Sequence, residues 1–428
     1  MSATETILAR DHFGMKLGLD SIGAVCDELD RPERAYRTVI VAGTNGKGSV
    51  TAIAATALAA AGYRTGRYTS PHLVRLEERF ALDGVDVSRD VVDEAAQRVL
   101  DAEARALARG RLEAPVTFFE LTTAVAFEIF RRARVDVAVL EVGLGGRFDA
   151  TNIASPAAAA ITTIDLEHTR HLGTTLAAIA FEKAGVIKPG MVVVTGERKA
   201  EADAVIRAAV ADRGATLVPA FEGVRHEVSM EGWRTILTLE TPAGRYGPLD
   251  LALRGRHQAD NATVAVRLLE SLGFCDLSVP HAAIERALVT TSWPGRLQLI
   301  DWNHDRQLLL DAAHNPAGMA RLAEYLQEAV PGGLPVVLGV VNDKDARQML
   351  QVLRPVATHL VVTEPPGSRA WPAAELASLA RTLGFAAECH PDPIDAIDRA
   401  FGTGAHTVCV AGSIFLLGDV LGRAPTRG

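Results

Sequence analysis

Apolar positions along the chain fall into two alternating patterns. Short runs at 38–42, 63–69, 135–140, 157–163 and 191–195, most of them β-branched and continuous, read as buried strands. Helical stretches lie between them at 16–29, 49–62, 88–110 and 177–184, and one more runs from the 115–120 segment to 134. Residues 197–292 mix helices with a β-like stretch at 224–251, and 254–262 opens a further helix. Trp293-Pro294-Gly295-Arg296 then interrupts the pattern. A second set follows it, with strands at 307–310, 336–341, 359–363 and 406–411 and helices at 316–330 and 345–353. Such alternation predicts βαβ units and mainly parallel sheets.

Length and composition sharpen this. At 428 residues the chain exceeds one ordinary core, so two domains are expected. Hydrophobic residues make up 48% and charged residues 22%, an ordinary globular balance that argues against disorder. A formal net charge of -8 argues against a nucleic-acid or anionic-membrane partner, so an anionic substrate needs a local basic site. Cys26, Cys275, Cys389 and Cys409 form no C-x-x-C pair and sit in mostly apolar stretches. Buried free thiols in a reducing cytosol are expected, not a disulfide framework or a zinc site. No basic start followed by an apolar core marks a signal peptide, and no run of about 18 apolar residues marks a membrane span. The expectation is a cytoplasmic monomer.

The chemistry gathers at the ends of the predicted strands. After 38–42 comes Gly43-Thr44-Asn45-Gly46-Lys47-Gly48-Ser49, then the Ala-rich helix. Strand, glycine-rich loop and helix is the layout that holds phosphate on backbone N–H groups, with a lysine reaching the outer oxygens. The usual spacing would need Gly at 41 and Ser or Thr at 48, where Val41 and Gly48 stand, so a plain βα turn with a solvated lysine is an equal reading of this segment alone. Ser70 precedes Pro71 at a strand's end, either beside a ligand or in a simple turn. Glu141 tips the 135–140 strand, the place of an acid that holds magnesium near phosphates. Three glycines follow, with Arg147 and Asp149 supplying charge. His168 lies in a polar cluster past the next strand, as ligand or as surface residue. Lys183 alone reads as a solvated lysine, and Phe118 and Phe119 beside Glu120 as pocket lining or core.

Taken in order, LGLDSI, VAGTNGKGSV, YTSPHL, TFFE, LEVGLGGRFDATN, ITTIDLEHTRHLG, EKAGVIKPG, HQADNA, WPGR, LDAAHNP and DKD span nearly the whole chain. The set resembles folylpolyglutamate synthase/dihydrofolate synthase, a family of Mur ligases. The resemblance implies a P-loop ATPase-type domain with a parallel sheet over residues 1–295. It places a smaller Rossmann-like α/β glutamate-ligase domain at 296–428. It implies a magnesium-dependent ligase that activates a carboxylate as an acyl phosphate, which the amine of L-glutamate then attacks. Its substrates would be ATP, L-glutamate, dihydropteroate and reduced folates.

The resemblance also assigns residues. Thr44, Asn45, Gly46, Lys47, Gly48 and Ser49 would cradle the triphosphate, with Asn261, Arg296, Asp311 and His314 completing the ATP site. One magnesium would use Ser49, Ser70 and Glu141; a second would use Glu141, His168 and a carbamate on Lys183. Lys47, Glu141, His168 and Lys183 form the implied catalytic set. The pterin-bearing substrate would lie against Met15, Lys16, Leu17, Thr117, Phe118, Phe119, Glu120, Phe148, Asp149 and Ala150. Two positions depart from the family pattern: Glu167 replaces the usual aspartate before His168, and Phe181 replaces the arginine before Glu182-Lys183. The rival readings are a Mur-type ligase for another carboxylate and a non-enzymatic nucleotide switch. The short lead before Gly43 disfavours the first, and the strand-end acid, histidine and lysine disfavour the second.

Overall fold

Strands form at the apolar runs and assemble into three sheets. The structure is a computed structural model that describes residues 2–10, 18–303 and 305–424. The first sheet contains β1 (Arg37–Ala42), β2 (Thr65–Tyr68), β3 (Phe80–Leu82), β4 (Val85–Asp86), β5 (Val137–Glu141), β6 (Ala158–Ile161), β7 (Val192–Thr195) and β8 (Thr216–Pro219). Their order is β4-β3-β2-β5-β1-β6-β7-β8, parallel except that β3 pairs antiparallel with both β2 and β4. The β-like stretch becomes an antiparallel sheet of β9 (Arg225–Glu231), β10 (Arg234–Thr241) and β11 (Gly244–Asp250). The third sheet holds β12 (Gln298–Asn303), β13 (Arg306–Asp311), β14 (Leu334–Leu338), β15 (Ala357–Val362), β16 (Ala387–Cys389) and β17 (Thr407–Ala411). Its order is β12-β13-β17-β14-β15-β16, with only β12 antiparallel.

The continuous apolar runs are explained by helices on both faces. In β1, Val39 and Val41 enter one core cluster while Ile40 and Ala42 enter the other. In β13, Leu309 faces one cluster and Leu308 and Leu310 the opposite one. Each fully buried Val, Ile or Leu side chain contributes roughly 1.5–3 kcal/mol.

The register brings the strand ends together. Val41 pairs with Glu141, Tyr68 with Leu140, and Ala42 with Ile161. The segments after β2, β5, β1 and β6 therefore emerge side by side at the carboxyl edge, where open α/β sheets bind ligands.

Several boundaries differ from the sequence reading. The helix after the glycine loop is Lys47–Ala60, starting two residues early because Gly46 is its N-cap, at φ 87. The first long helix is Asp20–Glu28, and its expected start at Lys16 lies outside the described residues. All four cysteines are free, but only Cys26 and Cys409 are buried; Cys275 and Cys389 are partly open, the latter ending edge strand β16. Among the described residues no helix is long and apolar enough to cross a membrane.

Candidate active site

The loop 43–46 lies against the segment after β6. Thr44 N–H donates to the Thr163 carbonyl at 2.7 Å, and its Oγ1 accepts from Asp165 N–H at 3.0 Å. Thr162 Oγ1 donates to the Asn45 carbonyl at 2.7 Å. Gly46 has no substitute here: beyond its positive φ, a Cβ would stand 2.2 Å from Asn261 Oδ1. Asn261 is buried and held by Gln258 at 3.0 Å. Lys47 Nζ folds back onto the Gly43 and Thr44 carbonyls, both at 3.1 Å. Ser49 is buried in the first turn of the helix.

Glu141 closes β5 and is buried, its carboxylate accepting from Ser70 N–H at 3.1 Å. Burial raises its pKa, against the opposing pull of Lys47, the Ser70 N–H, Arg296 and Arg67. Ser70, Glu141 and Lys47 thus share one electrostatic neighbourhood.

Lys183 reaches the same place from the helix Leu176–Ala184. Its Nζ donates to the Gly43 carbonyl at 2.6 Å, and the residue is 3% exposed. Burial and the charge of Lys47 lower its pKa to about 7. The reading of Lys183 as a solvated lysine therefore fails. His168 N-caps a single helical turn at φ 49, in the left-handed region. Partial burial lowers its pKa to about 4; Glu167 pulls the other way, while Lys344, Lys47 and Lys183 add to the lowering. Its ring is neutral at neutral pH, with a lone pair to offer.

The third sheet completes the constellation. Asp311 ends β13 and is buried, accepting from Leu297 N–H and Ala313 N–H, both at 2.9 Å. Burial raises its pKa, with Arg296 the largest opposing charge. His314 Nδ1 meets the Ala312 carbonyl at 2.8 Å, and its Nε2 meets Glu167 Oε1 at 3.3 Å. Burial would raise the Glu167 pKa, but the His314 bond and the charges of Lys47, His314 and His168 hold it well below the usual range. Asn315 donates to Asn45 Oδ1 at 3.4 Å. Glu167, noted in the sequence only as a departure, is thus a bridge between the two sheets. Nothing in the sequence signals Asn315 or Arg67 beyond their nearness to marked residues.

The expected pterin contacts divide. Thr117 and Glu120 form a capping box on the helix Phe118–Ala133. Asp149 is buried, its carboxylate accepting from Leu144 N–H, Thr151 N–H and Thr151 Oγ1. These three hold backbone in place. Phe118 is buried, while Phe119 is half-buried against Gly143, whose absent Cβ would stand 2.4 Å from the ring. Phe148 is exposed and Ala150 buried. Met15, Lys16 and Leu17 lie outside the described residues.

The donor set suits a hard divalent cation: a buried carboxylate, two hydroxyls and a neutral imidazole at a phosphate loop. Among the described residues no three His, Cys, Asp or Glu side chains cluster as a self-sufficient metal site. A cation here would therefore need hydroxyl and substrate oxygens too. Open hollows of about 640 and 470 Å³ lie elsewhere, beside Trp233 and beside Asp20, and gather none of these groups.

The Mur ligase middle-domain family model matches residues 41–269, and the Mur ligase glutamate-ligase-domain model matches residues 295–414. A Bacillus subtilis dihydrofolate synthase/folylpolyglutamate synthase is 31% identical over 447 residues, 98% of each chain. The Mycobacterium tuberculosis protein of the same name is 35% identical over 372 residues, 82% of this chain and 75% of its own. The solved structure of Escherichia coli FolC in complex with DHPP and ADP superposes with a TM-score of 0.87 at 28% identity, covering 99% of this chain and 97% of that one. A bifunctional folylpolyglutamate synthase/dihydrofolate synthase with Mn, AMPPNP and L-glutamate bound gives 0.82 at 30% identity, covering 99% and 98%.

Proposed function

The chain belongs to the dihydrofolate synthase/folylpolyglutamate synthase family of Mur ligases, and from that premise we propose that it joins L-glutamate to dihydropteroate and to folates. It is an ATP-dependent ligase that uses a divalent metal. The observation that supports this best is the meeting of Lys47, Glu141 and His168, from adjacent strand ends, and Lys183, from the helix Leu176–Ala184, with Asp311 and His314 of the third sheet. We place the division between the two ligase domains at residue 295, within the 293–296 linker.

A carboxylate is a poor acylating agent until one oxygen becomes a good leaving group, and the γ-phosphate supplies that. The 44–49 backbone would hold the triphosphate, and Lys47 would leave the Gly43 and Thr44 carbonyls for the outer phosphate oxygens. Asn261, Arg296, Asp311 and His314 would close the ATP site as the two domains approach. Ser49, Ser70 and Glu141 would hold one magnesium, and Glu141, His168 and Lys183 a second. The metal, when bound, offsets the repulsion between carboxylate and triphosphate. Lys183 can serve only after its amine takes up carbon dioxide. Its lowered pKa supports that step, because carbamate forms on the neutral amine. The pterin would rest near Phe118, Phe119, Phe148 and Ala150, with Thr117, Glu120 and Asp149 shaping the backbone beneath. Met15, Lys16 and Leu17 remain part of this proposed contact set.

The deciding measurement is phosphate release with ATP, magnesium and L-glutamate, comparing dihydropteroate with a reduced monoglutamyl folate. Turnover with both is expected. Turnover with the folate alone would leave a chain-extending enzyme, and turnover with neither would point to a different carboxylate. Lys183→Ala should lower kcat by about a hundredfold or more, with partial rescue by short carboxylic acids. Wild-type activity in that variant would remove Lys183 from the metal site.

A further inference from the structure

Among the described residues, Arg147 has a stacking partner but no ionic one. Its guanidinium carbon lies 3.9 Å from the centroid of the Phe181 ring and 6.0 Å from that of Phe148. No carboxylate among the described residues pairs with it, whereas Arg131, Arg267 and Arg399 each meet one. Phe148 and Phe181 are 43% and 51% exposed, so two surface aromatics flank one half-buried cation. The backbone beneath is fixed. Arg147 N–H donates to the Glu182 carbonyl at 2.9 Å, and Asn152 Nδ2 donates to the carbonyls of Arg147 at 2.9 Å and Gly185 at 3.1 Å. An aromatic face that fixes the plane of a guanidinium leaves its N–H edges free for a carboxylate.

The location selects the kind of anion. Arg147 follows Glu141 by six residues, and Phe181 precedes Lys183 by two on the same helix. That spacing turns Phe181 away from the Lys183 side of the helix, so Arg147 sits at the rim and not at the reacting centre. A reacting carboxylate or a triphosphate belongs at the centre; a carboxylate carried farther along a substrate reaches the rim.

We propose that Arg147, clamped on Phe181, binds a non-reacting carboxylate of a glutamyl group and so helps to select the substrates. The proposal rests on the ligase reading above. Two substrates carry such a group: the incoming L-glutamate and an acceptor that is already glutamylated. Dihydropteroate carries none.

The test compares wild type, Arg147→Gln and Phe181→Ala with both acceptors. Arg147→Gln should raise one KM by roughly 10- to 100-fold, as expected for a lost charge-assisted bond, with kcat changed by less than about threefold. A rise in the glutamate KM with both acceptors assigns the site to incoming glutamate. A rise in the folate KM with dihydropteroate unaffected assigns it to the acceptor's tail. Phe181→Ala, at an exposed position, should move the same KM in the same direction by less. If every KM stays within about twofold, or if kcat falls while KM holds, the proposal is overturned. Calorimetric binding of L-glutamate and of monoglutamyl folate to wild type and Arg147→Gln gives a readout independent of turnover. Wild-type protein that binds but does not turn over would sink the ligase reading while the binding difference still decides Arg147.

Discussion

Lys183 shows how far burial can change the meaning of one side chain. An ammonium in this position loses hydration and faces Lys47, and its pKa falls to about 7 from the ordinary 10.5. Between those values the unfolded chain holds the proton more tightly than the folded one. The site therefore destabilises the fold most below pH 7, and the penalty fades as pH rises from 7 to 10.5. In buffer free of carbon dioxide and metal, Lys183→Met should be more stable than wild type by on the order of 1–3 kcal/mol at pH 7. Denaturant midpoints across that range should show the gap narrowing with rising pH. A gap that is flat or reversed would mean the amine is not held at a cost. Legibility at this scale was uneven. Glu141 was readable because it ends an apolar strand. Lys183 was not readable from its own helix, because depth is a property of the packed molecule. Glu167 was visible only as an oddity, since its partner His314 lies 147 residues away.

The glycine loop and its helix were the most readable element, yet their packing was hidden. Gly48 lies in the first turn of the helix Lys47–Ala60, where alanine would ordinarily be better by about 1 kcal/mol. Here an added Cβ would stand 2.8 Å from the Trp293 indole, which carries the Arg67 guanidinium 5.0 Å from its centroid. Gly48→Ala should therefore lower the melting temperature by several degrees and weaken ATP binding. Adding Trp293→Leu should recover part of the loss. A Gly48→Ala protein with a raised melting temperature would show that the indole yields freely. The elements that escaped the sequence reading are short or at sheet edges. β3 and β4 span three and two residues, and Val85 is 70% exposed, so no buried run announces them. The helix start moved from 49 to Lys47 because Gly46, in the left-handed region, caps it.

Across the whole molecule, the two mainly parallel sheets were legible, because each has its own alternating core. The mutual docking of the two halves was not, since it depends on single close approaches. Leu73, just past Ser70, packs into the core of the third sheet beside Leu417. An added Cβ at Gly418, in the helix Ile414–Arg423, would lie 2.0 Å from the Leu73 carbonyl oxygen. Helix propensity and docking thus make opposite demands on this residue. Propensity alone favours Gly418→Ala by about 1 kcal/mol; the contact requires the helix or the 70–73 loop to move. Because that loop also carries Ser70 to Glu141, a shift there would disturb the proposed metal site from the far side of the linker. The expected result is a kcat lowered about tenfold and a higher magnesium concentration for half-maximal rate, with the helical circular dichroism unchanged. Phosphate-release assays over a magnesium series measure both. A variant that melts higher and turns over normally would show that the halves do not need this contact to act together.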